Sequence, residues 1–451
     1  MYINRKHVMF SILLGLLVSG QVQAEVHEFE LDNGLKILIR EDHRAPVVVA
    51  QIWYKVGSSY EYNGITGVSH VLEHMMFKGT DKHPAGEFSR IIAANGGREN
   101  AFTAKDYTAY FQQLEKSRLA ISFEMEADRM RSLTLPEEEF EKELKVVMEE
   151  RRMRTEDNPR ALTWEQFNAT AFSSSPYHNP IVGWMDDLKN LKVSDLEVWY
   201  RKWYAPNNAV LVVVGDVDPK EVYSMARRYY GGLFKSASIK PLKPRIEAPQ
   251  RGMRKVTVEA PAKLPFLIMG YKVPVLKTAK EDWEPYALEV LAGILDSGAS
   301  ARFSKNLVRG KQLAAGTSVS YSLYARQDEL FVISATPTAN TSVEKLQQAI
   351  TDELQAIKTK PVSAAELNRI KAQVVAGKVY EKDSLFYQAM TMGMLETVGL
   401  GWERMEEYAD KVRAVTAEQV MQVAKKYLVE TSLTVAELKP VSLQQKKEQK
   451  K

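Results

Sequence analysis

The sequence predicts an α+β protein of two similar halves, each a mostly antiparallel sheet packed with helices. At 451 residues, the chain is too long for one ordinary hydrophobic core. A capped helix followed by an apolar strand ends each half, at 193–219 and at 415–440. Between the halves, the segment 235–252 is rich in proline and lysine and lacks periodicity, which is typical of a linker.

The repeated helix–strand unit is the main indication that the halves are related. Its second copy begins 222 residues after the first. A capping-box pattern opens each helix, Ser194 with Glu197 in the first copy and Thr416 with Gln419 in the second. Two generic helix–strand units could match by coincidence, but both are the last element of their half. We therefore expect an internal structural repeat.

The first 24 residues have the pattern of a signal peptide. Arg5 and Lys6 precede an apolar run at 8–18, and the small-residue sequence VQA ends at Ala24. A membrane anchor is the alternative, but about 11 apolar residues are short for a membrane span. We expect a periplasmic or secreted protein, with no membrane span after cleavage of the signal peptide.

Strand and helix patterns alternate through the first half. Alternating apolar residues flank an Asp-Asn-Gly turn at 32–34, and a β-branched run follows at 45–58. The later elements are predicted as helices at about 66–78, 86–95, 117–132 and 136–154, with one or two strands within 98–114. Pro136 and the acidic residues after it suit a helix start.

Composition restricts the classes of function. The chain is 45% hydrophobic and 26% charged, which is typical of a globular protein. A formal net charge of +4, without a basic stripe, gives no reason to expect nucleic-acid binding. Cysteine is absent, which excludes thiolate catalysis and a cysteine zinc site. Any metal ion must therefore be bound by histidine, aspartate or glutamate.

The predicted helix at 66–78 carries three residues suited to metal chemistry. His70, Glu73 and His74 share one helix face, because residues three and four positions apart are neighbours. Histidines at this spacing can reach one Zn²⁺, and the glutamate between them can act as a general base. The alternative is a solvated or structurally satisfied histidine pair. A solvated face is disfavoured by the apolar neighbours Val71, Leu72, Met75, Met76 and Phe77.

A catalytic zinc ion needs a third protein ligand, and the predicted helix at 136–154 offers several glutamates. Glu143 and Glu150 lie two turns apart on one face, whereas Glu149 is rotated by about 100° from Glu150. A glutamate-rich helix is more often simply solvated. The residues alone therefore leave the third ligand open.

These segments resemble the pitrilysin/insulinase family of zinc metallopeptidases, which includes the mitochondrial processing peptidases. The resemblance covers about residues 26–438, and the H-x-x-E-H motif and the segment NGGRENAFTAKDYTAYF carry much of it. It implies one zinc ion per chain, ligated by His70, His74 and Glu150, with Glu73 as the general base. Glu143 takes the position of a glutamate that supports the water or a ligand.

The same resemblance implies where a peptide substrate binds. Asn100 and Ala101 take the positions of a strand that pairs with the substrate, and Arg309 that of a substrate-binding arginine in the second half. The family places a tyrosine seven residues after this arginine, but Gly316 stands there, and Tyr321 lies too far along. Within 282–298, the counterpart of the zinc helix has no histidine, so this half is expected to bind no zinc.

The sequence predicts a zinc-dependent endopeptidase that hydrolyses peptides or unfolded polypeptides by means of a zinc-activated water and a glutamate general base. The enzyme is expected to act as a clamshell dimer. Because Gly316 replaces the tyrosine, a hetero-dimer with a related zinc-less chain is favoured over a homodimer. The alternative is a non-catalytic assembly or chaperone-like subunit of the same fold. The predicted organisation is a signal peptide (1–24), a zinc-binding catalytic domain (25–234), the linker (235–252), a non-catalytic domain of similar fold (253–440) and a polar tail (441–451).

Overall fold

The structure, a computed structural model, describes residues 25–240, 243 and 246–442. The predicted signal peptide, part of the predicted linker and the tail beyond residue 442 lie outside the described residues. Strands of the first sheet are β1 (Val26–Glu30), β2 (Lys36–Glu41), β3 (Val47–Tyr54), β4 (Arg98–Thr103), β5 (Thr108–Glu115) and β6 (Ala209–Gly215). Those of the second sheet are β7 (Arg254–Pro261), β8 (Phe266–Val273), β9 (Ala314–Ser320), β10 (Glu329–Pro337) and β11 (Leu433–Val441).

The two sheets have the same topology. Strand order is β1-β2-β6-β3-β5-β4 in the first sheet and β7-β11-β8-β10-β9 in the second. β2 is parallel to β6 and β7 is parallel to β11, while every other pair among the described strands is antiparallel. The last five strands of the first order therefore correspond one by one to the second sheet. This confirms the α+β class with two similar, mostly antiparallel halves.

Helices cover the faces of both sheets. Those of the first half are α1 (Val68–Met75), α2 (Glu87–Ala94), α3 (Leu119–Ser132), α4 (Glu137–Arg151), α5 (Pro159–Ala171), α6 (Met185–Asn190), α7 (Val193–Trp203) and α8 (Pro219–Tyr230). Those of the second half are α9 (Trp283–Asp296), α10 (Val343–Thr359), α11 (Ala364–Glu381), α12 (Leu385–Val398), α13 (Arg404–Ala414) and α14 (Ala417–Tyr427). Among the described residues, no helix combines the length and the apolar character needed to cross a bilayer.

One of the two predicted capping boxes is wrong. Helix α14 opens with the predicted pair, since the side chains of Thr416 and Gln419 bond each other's backbone N–H. Helix α7 begins at Val193, one residue before the predicted cap Ser194, and Asp195 accepts a hydrogen bond from the N–H of the N-cap residue Lys192 at 2.9 Å. The carboxylate of Asp195 reaches back three residues to this N–H, so the helix starts before Ser194 can cap it.

Each half packs a helix on the sheet of the other half. Helix α12 of the second half lies on β3 and β6, where Met392 joins a buried cluster with Trp53. Helix α5 of the first half lies on β7 and β11, where Phe167 joins a second cluster with Ile268. The chain therefore forms one packed body around two sheets of similar topology, and the segment between α8 and β7 is not the only connection between them.

Candidate metal centre and active site

Helix α1 places the three residues of the H-x-x-E-H segment. Its N-cap, Gly67, has a φ of 90°, and a Cβ there would lie 2.6 Å from the carbonyl oxygen of Val182. Glycine therefore allows both the left-handed backbone and the close approach at this turn. Val71 and Leu72 are fully buried in the first core, which turns the opposite side of the helix toward α4 and β4.

Three potential metal ligands from α1 and α4 converge. One atom each of His70, His74 and Glu150 lies within 4.8 Å of the other two. Oε2 of Glu150 is 3.9 Å from Nε2 of His70 and 3.6 Å from Nε2 of His74. These separations are too long for hydrogen bonds, but ligands about 2.1 Å from a tetrahedral ion lie roughly 3.4 Å apart. The donor set of two imidazoles and one carboxylate therefore fits a zinc ion.

Glu143 holds His74 from the side away from this centre. Oε2 of Glu143 lies 3.1 Å from Nδ1 of His74, and Oε1 lies 2.6 Å from Nζ of Lys78. Burial would raise the pKa of Glu143, but the bonds from Lys78 and His74 outweigh it and lower the pKa. A proton on Nδ1 of His74 would leave the Nε2 lone pair free for a metal ion.

Glu73 lies beside the three ligands and bonds strand β4. The hydroxyl of Thr103 donates a hydrogen bond to Oε2 of Glu73. Burial raises the pKa of the Glu73 carboxyl, and the Thr103 bond opposes the shift without cancelling it. A carboxylate with a raised pKa is better suited to take and return a proton near neutral pH.

His70 is in its metal-binding form. Burial, together with the neighbouring His74 and Arg154, lowers its pKa to about 3. The imidazole is therefore neutral at neutral pH and keeps a lone pair for a metal ion. Nδ1 of His70 is buried without a hydrogen-bond partner within the described part of the chain.

A cleft runs from His70, Glu73 and Glu150 along strand β4. The cavity has a volume of about 300 Å³, with Phe102, Arg154, Ile181 and Val182 among its lining residues. Among the described strands, β4 pairs with β5 alone, so its outer edge faces this cleft. Asn100 is on this strand, and its Oδ1 accepts a hydrogen bond from the backbone N–H of Ala101 at 2.9 Å.

The predicted residues of the second half do not join the centre. Arg309 is exposed after α9, in the π-helical segment Ser304–Gly310, and donates to the carbonyl of Ala299. Gly316 lies on β9 with open space around it, and Tyr321 donates to the carbonyl of Pro274 at 2.6 Å.

The sequence did not point to three polar neighbours of the site. Thr103 bonds Glu73, Lys78 bonds Glu143, and Arg154 pairs with Glu150. Thr103 follows Ala101 by two residues on the same strand face, so strand periodicity was a usable signal for it. Lys78 lies beyond the end of α1, and Arg154 follows α4 in a π-helical turn over Arg152–Glu156. Regular helix periodicity does not place either residue.

The fold and the site are those of a metallopeptidase-like protein with two similar halves. The first half carries the helix with the two histidines. The family description "Insulinase (Peptidase family M16)" matches residues 36–184, and "Peptidase M16 inactive domain" matches residues 190–374. The chain belongs to peptidase family M16, which confirms the resemblance stated from the sequence.

Similar proteins match over nearly the whole chain. The zinc protease PqqE of Helicobacter pylori is 31% identical over 440 residues, 95% of this chain and 96% of that protein. The crystal structure of a protease from Helicobacter pylori has a TM-score of 0.87 at 31% identity, covering 92% of this chain and 100% of that one. The periplasmic protease PqqL of Escherichia coli shares the fold, with a TM-score of 0.78 at 19% identity, over 94% of this chain and 48% of that one.

Proposed function

We propose that this protein is a zinc-dependent endopeptidase that hydrolyses peptides or unfolded polypeptides. The observation that carries the proposal is the convergence of His70, His74 and Glu150, with Glu73 beside them in a cleft. Three protein ligands with a neighbouring general base are the pattern of a catalytic zinc site rather than a structural one. The relative named as a zinc protease supports the same reaction class.

The residues of the first half have distinct roles in this reaction. Zinc bound by His70, His74 and Glu150 would supply a Lewis acid that polarises the peptide carbonyl and acidifies water. Glu73 takes the proton of the attacking water and returns it to the leaving amine. Thr103 holds the carboxylate of Glu73 at the wall of the cleft.

We propose that the substrate binds as an additional strand on β4. The N–H of Ala101 points away from β5, because it bonds the side chain of Asn100 rather than the ladder. A substrate carbonyl can replace the Asn100 oxygen and extend the sheet by one strand. An extended backbone is required for this pairing, which favours unfolded over folded proteins.

The substitution Glu73→Gln tests the catalytic proposal. We expect the variant to bind zinc as the wild type does, while kcat for a quenched fluorescent peptide falls by at least about 10²-fold. Zinc content measured by atomic absorption is the control in the same sample. Full activity in the variant would overturn the role of Glu73. Zinc binding without hydrolysis by the wild type would instead favour the second candidate function, a non-catalytic subunit of the same fold. The description "Peptidase M16 inactive domain" for residues 190–374 is the observation that favours this candidate.

We also propose that a second chain completes the active site. Gly316 has open space where the related tyrosine would stand, and Arg309 lies on the second half. A related zinc-less chain can supply an arginine–tyrosine pair in a closed dimer, whereas a homodimer cannot. Size-exclusion chromatography and peptide assays, with and without the co-expressed relative, test this. A homodimer with full activity would contradict the hetero-dimer.

We propose export from the cytoplasm, because Arg5, Lys6 and the apolar run 8–18 precede the VQA sequence. Mass spectrometry of the protein from the periplasmic or culture fraction should give Glu25 as the first residue. An intact N-terminus in that fraction would contradict cleavage.

A further inference from the structure

A loop of the second half reaches into the first half close to the active site. Arg326 lies between β9 and β10, and its side chain is only 15% exposed. It contacts two loops of the first half, 57–61 before helix α1 and 104–107 between β4 and β5. The first loop ends seven residues before the start of α1, and the second begins one residue after Thr103.

The contacts of Arg326 form a buried cluster, called here the Arg326 cluster. Nε of Arg326 donates to Oδ1 of Asp106 at 3.2 Å, and Nη2 donates to Oγ of Ser59 at 2.7 Å. The Ser59 hydroxyl in turn donates to Asp106 at 2.7 Å, and Tyr177 donates to the other oxygen of Asp106. The guanidinium also lies 4.4 Å from the ring centre of Tyr60. One charged group of the second half thus fixes both loops.

The two loops are also bonded to each other. The N–H of Ser58 donates to the carbonyl of Ala104 at 3.1 Å, and the N–H of Ser59 donates to the carbonyl of Lys105 at 2.8 Å. A Cβ on Gly57 would lie 2.2 Å from the carbonyl of Ala104, so the loops touch backbone to backbone. A shift of one loop therefore moves the other.

Each loop ends at a contact with the active site. Glu61 follows Tyr60 in the chain, and its carboxylate accepts hydrogen bonds from the N–H groups of Gly67 at 2.8 Å and Ser69 at 2.9 Å. Gly67 is the N-cap, and Ser69 the second residue, of the helix that carries His70. The second loop begins one residue after Thr103, which bonds Glu73.

We propose that Arg326 is a positioning residue of the active site. By holding the loops 57–61 and 104–107, it sets the orientation of helix α1 through Glu61 and of Glu73 through Thr103. The half without histidines thereby contributes to the chemistry of the other half. The kinetic part of this inference rests on the proposed function, whereas its effect on the metal centre does not.

The test compares two arginines that join the halves. Arg326→Gln removes the guanidinium contacts with Asp106, Ser59 and Tyr60. Arg40→Gln removes the ion pair of Arg40 with Glu406, which is 2.9 Å long, and the side chain of Arg40 is 8% exposed. Arg40 lies on β2 and Glu406 on α13, and neither element carries a residue of the candidate site. Each protein is loaded with Co²⁺, whose visible absorption reports the geometry of its ligands, and is assayed as the zinc form on a fluorescent peptide.

We expect Arg326→Gln to change the Co²⁺ spectrum and to lower kcat about tenfold, with KM changing less than threefold. Arg326→Lys, which keeps the charge near Asp106, should recover part of both effects. Arg40→Gln should keep the wild-type spectrum and kcat, even if its melting temperature falls as much as that of Arg326→Gln. If Arg326→Gln does not fold, Ser59→Ala is measured in its place, with a smaller spectral change and a kcat loss of about threefold.

The inference is overturned when the folded Arg326 or Ser59 variant has the spectrum and kcat of the Arg40 control. Absence of peptide hydrolysis by the wild type would refute the proposed function, while the Co²⁺ spectra would still decide the role of Arg326. A wild-type chain that binds no Co²⁺ would refute both.

Discussion

At the scale of single residues, the neighbouring glutamates at the end of α4 have different environments. Glu150 is 13% exposed and faces both histidines, with Arg154 on its other oxygen. Glu149 is 56% exposed and pairs with Arg152 at 2.9 Å, on the solvent side of the helix. The two side chains point about 100° apart around the helix axis, so the neighbours are chemically identical but positioned for different tasks.

The substitutions Glu150→Gln and Glu149→Gln form a matched pair for the metal centre. We expect Glu150→Gln to weaken zinc binding by roughly 100-fold or more, because a neutral amide oxygen replaces an anionic ligand. Glu149→Gln should bind zinc within twofold of the wild type. Competition with a chromophoric chelator measures both affinities. Equal losses in the two variants would refute the assignment of the third ligand.

The residues of the site differed in how far the sequence could predict them. His70, Glu73 and His74 were predictable because a helix places neighbours by a local rule. Choosing Glu150 required the family resemblance, because the orientation of α4 toward α1 is a tertiary property. The hydrogen bond from Thr103 to Glu73 joins residues 30 positions apart. No local pattern encodes that pairing.

At the scale of elements, helix α12 is fitted closely to the sheet of the other half. A Cβ on Gly393 would lie 2.2 Å from the ring of Trp53, which is fully buried on β3. The glycine therefore lets the helix approach the sheet, despite its low helix propensity. The many apolar residues of α12 suit a buried helix, but they carry no information on which sheet the helix covers.

Two glycines in neighbouring helices test this fit. Gly393→Ala should destabilise the protein by about 1–3 kcal/mol, because the added methyl group meets Trp53. Gly377→Ala in α11 should stabilise it by about 0.5–1 kcal/mol, because nothing lies within 4 Å of its Cβ and alanine favours the helix. Urea unfolding followed by circular dichroism gives both values. A Gly393 variant at least as stable as the wild type would contradict the close packing.

At the scale of the whole molecule, two helices pack on the sheet of the half to which they do not belong in sequence. The segment between α8 and β7 separates two halves of similar sheet topology, and the sequence predicted that the halves are similar. The exchange of α5 and α12 between the sheets does not follow from the sequence, because each helix is remote in sequence from the sheet it covers. Lys36 on β2 adds an ion pair across the halves, 2.9 Å from Glu396 on α12.

Separating the halves should therefore prevent either from folding alone. A fragment of residues 25–234 lacks α12, so Trp53 and Val212, both fully buried in the intact chain, would face water. We expect this fragment to bind a hydrophobic dye and to unfold without a cooperative transition, because the uncovered apolar surface removes much of the driving force for folding.

The control is the same fragment co-expressed with residues 246–442, which keeps the cut but restores both exchanged helices. The pair should associate and unfold in one transition, seen alike by circular dichroism and by tryptophan fluorescence. A lone 25–234 fragment with cooperative unfolding and no dye binding would show that α12 is dispensable. In that case the halves would be independent domains, and the influence of Arg326 on the metal centre would have to act without the shared core.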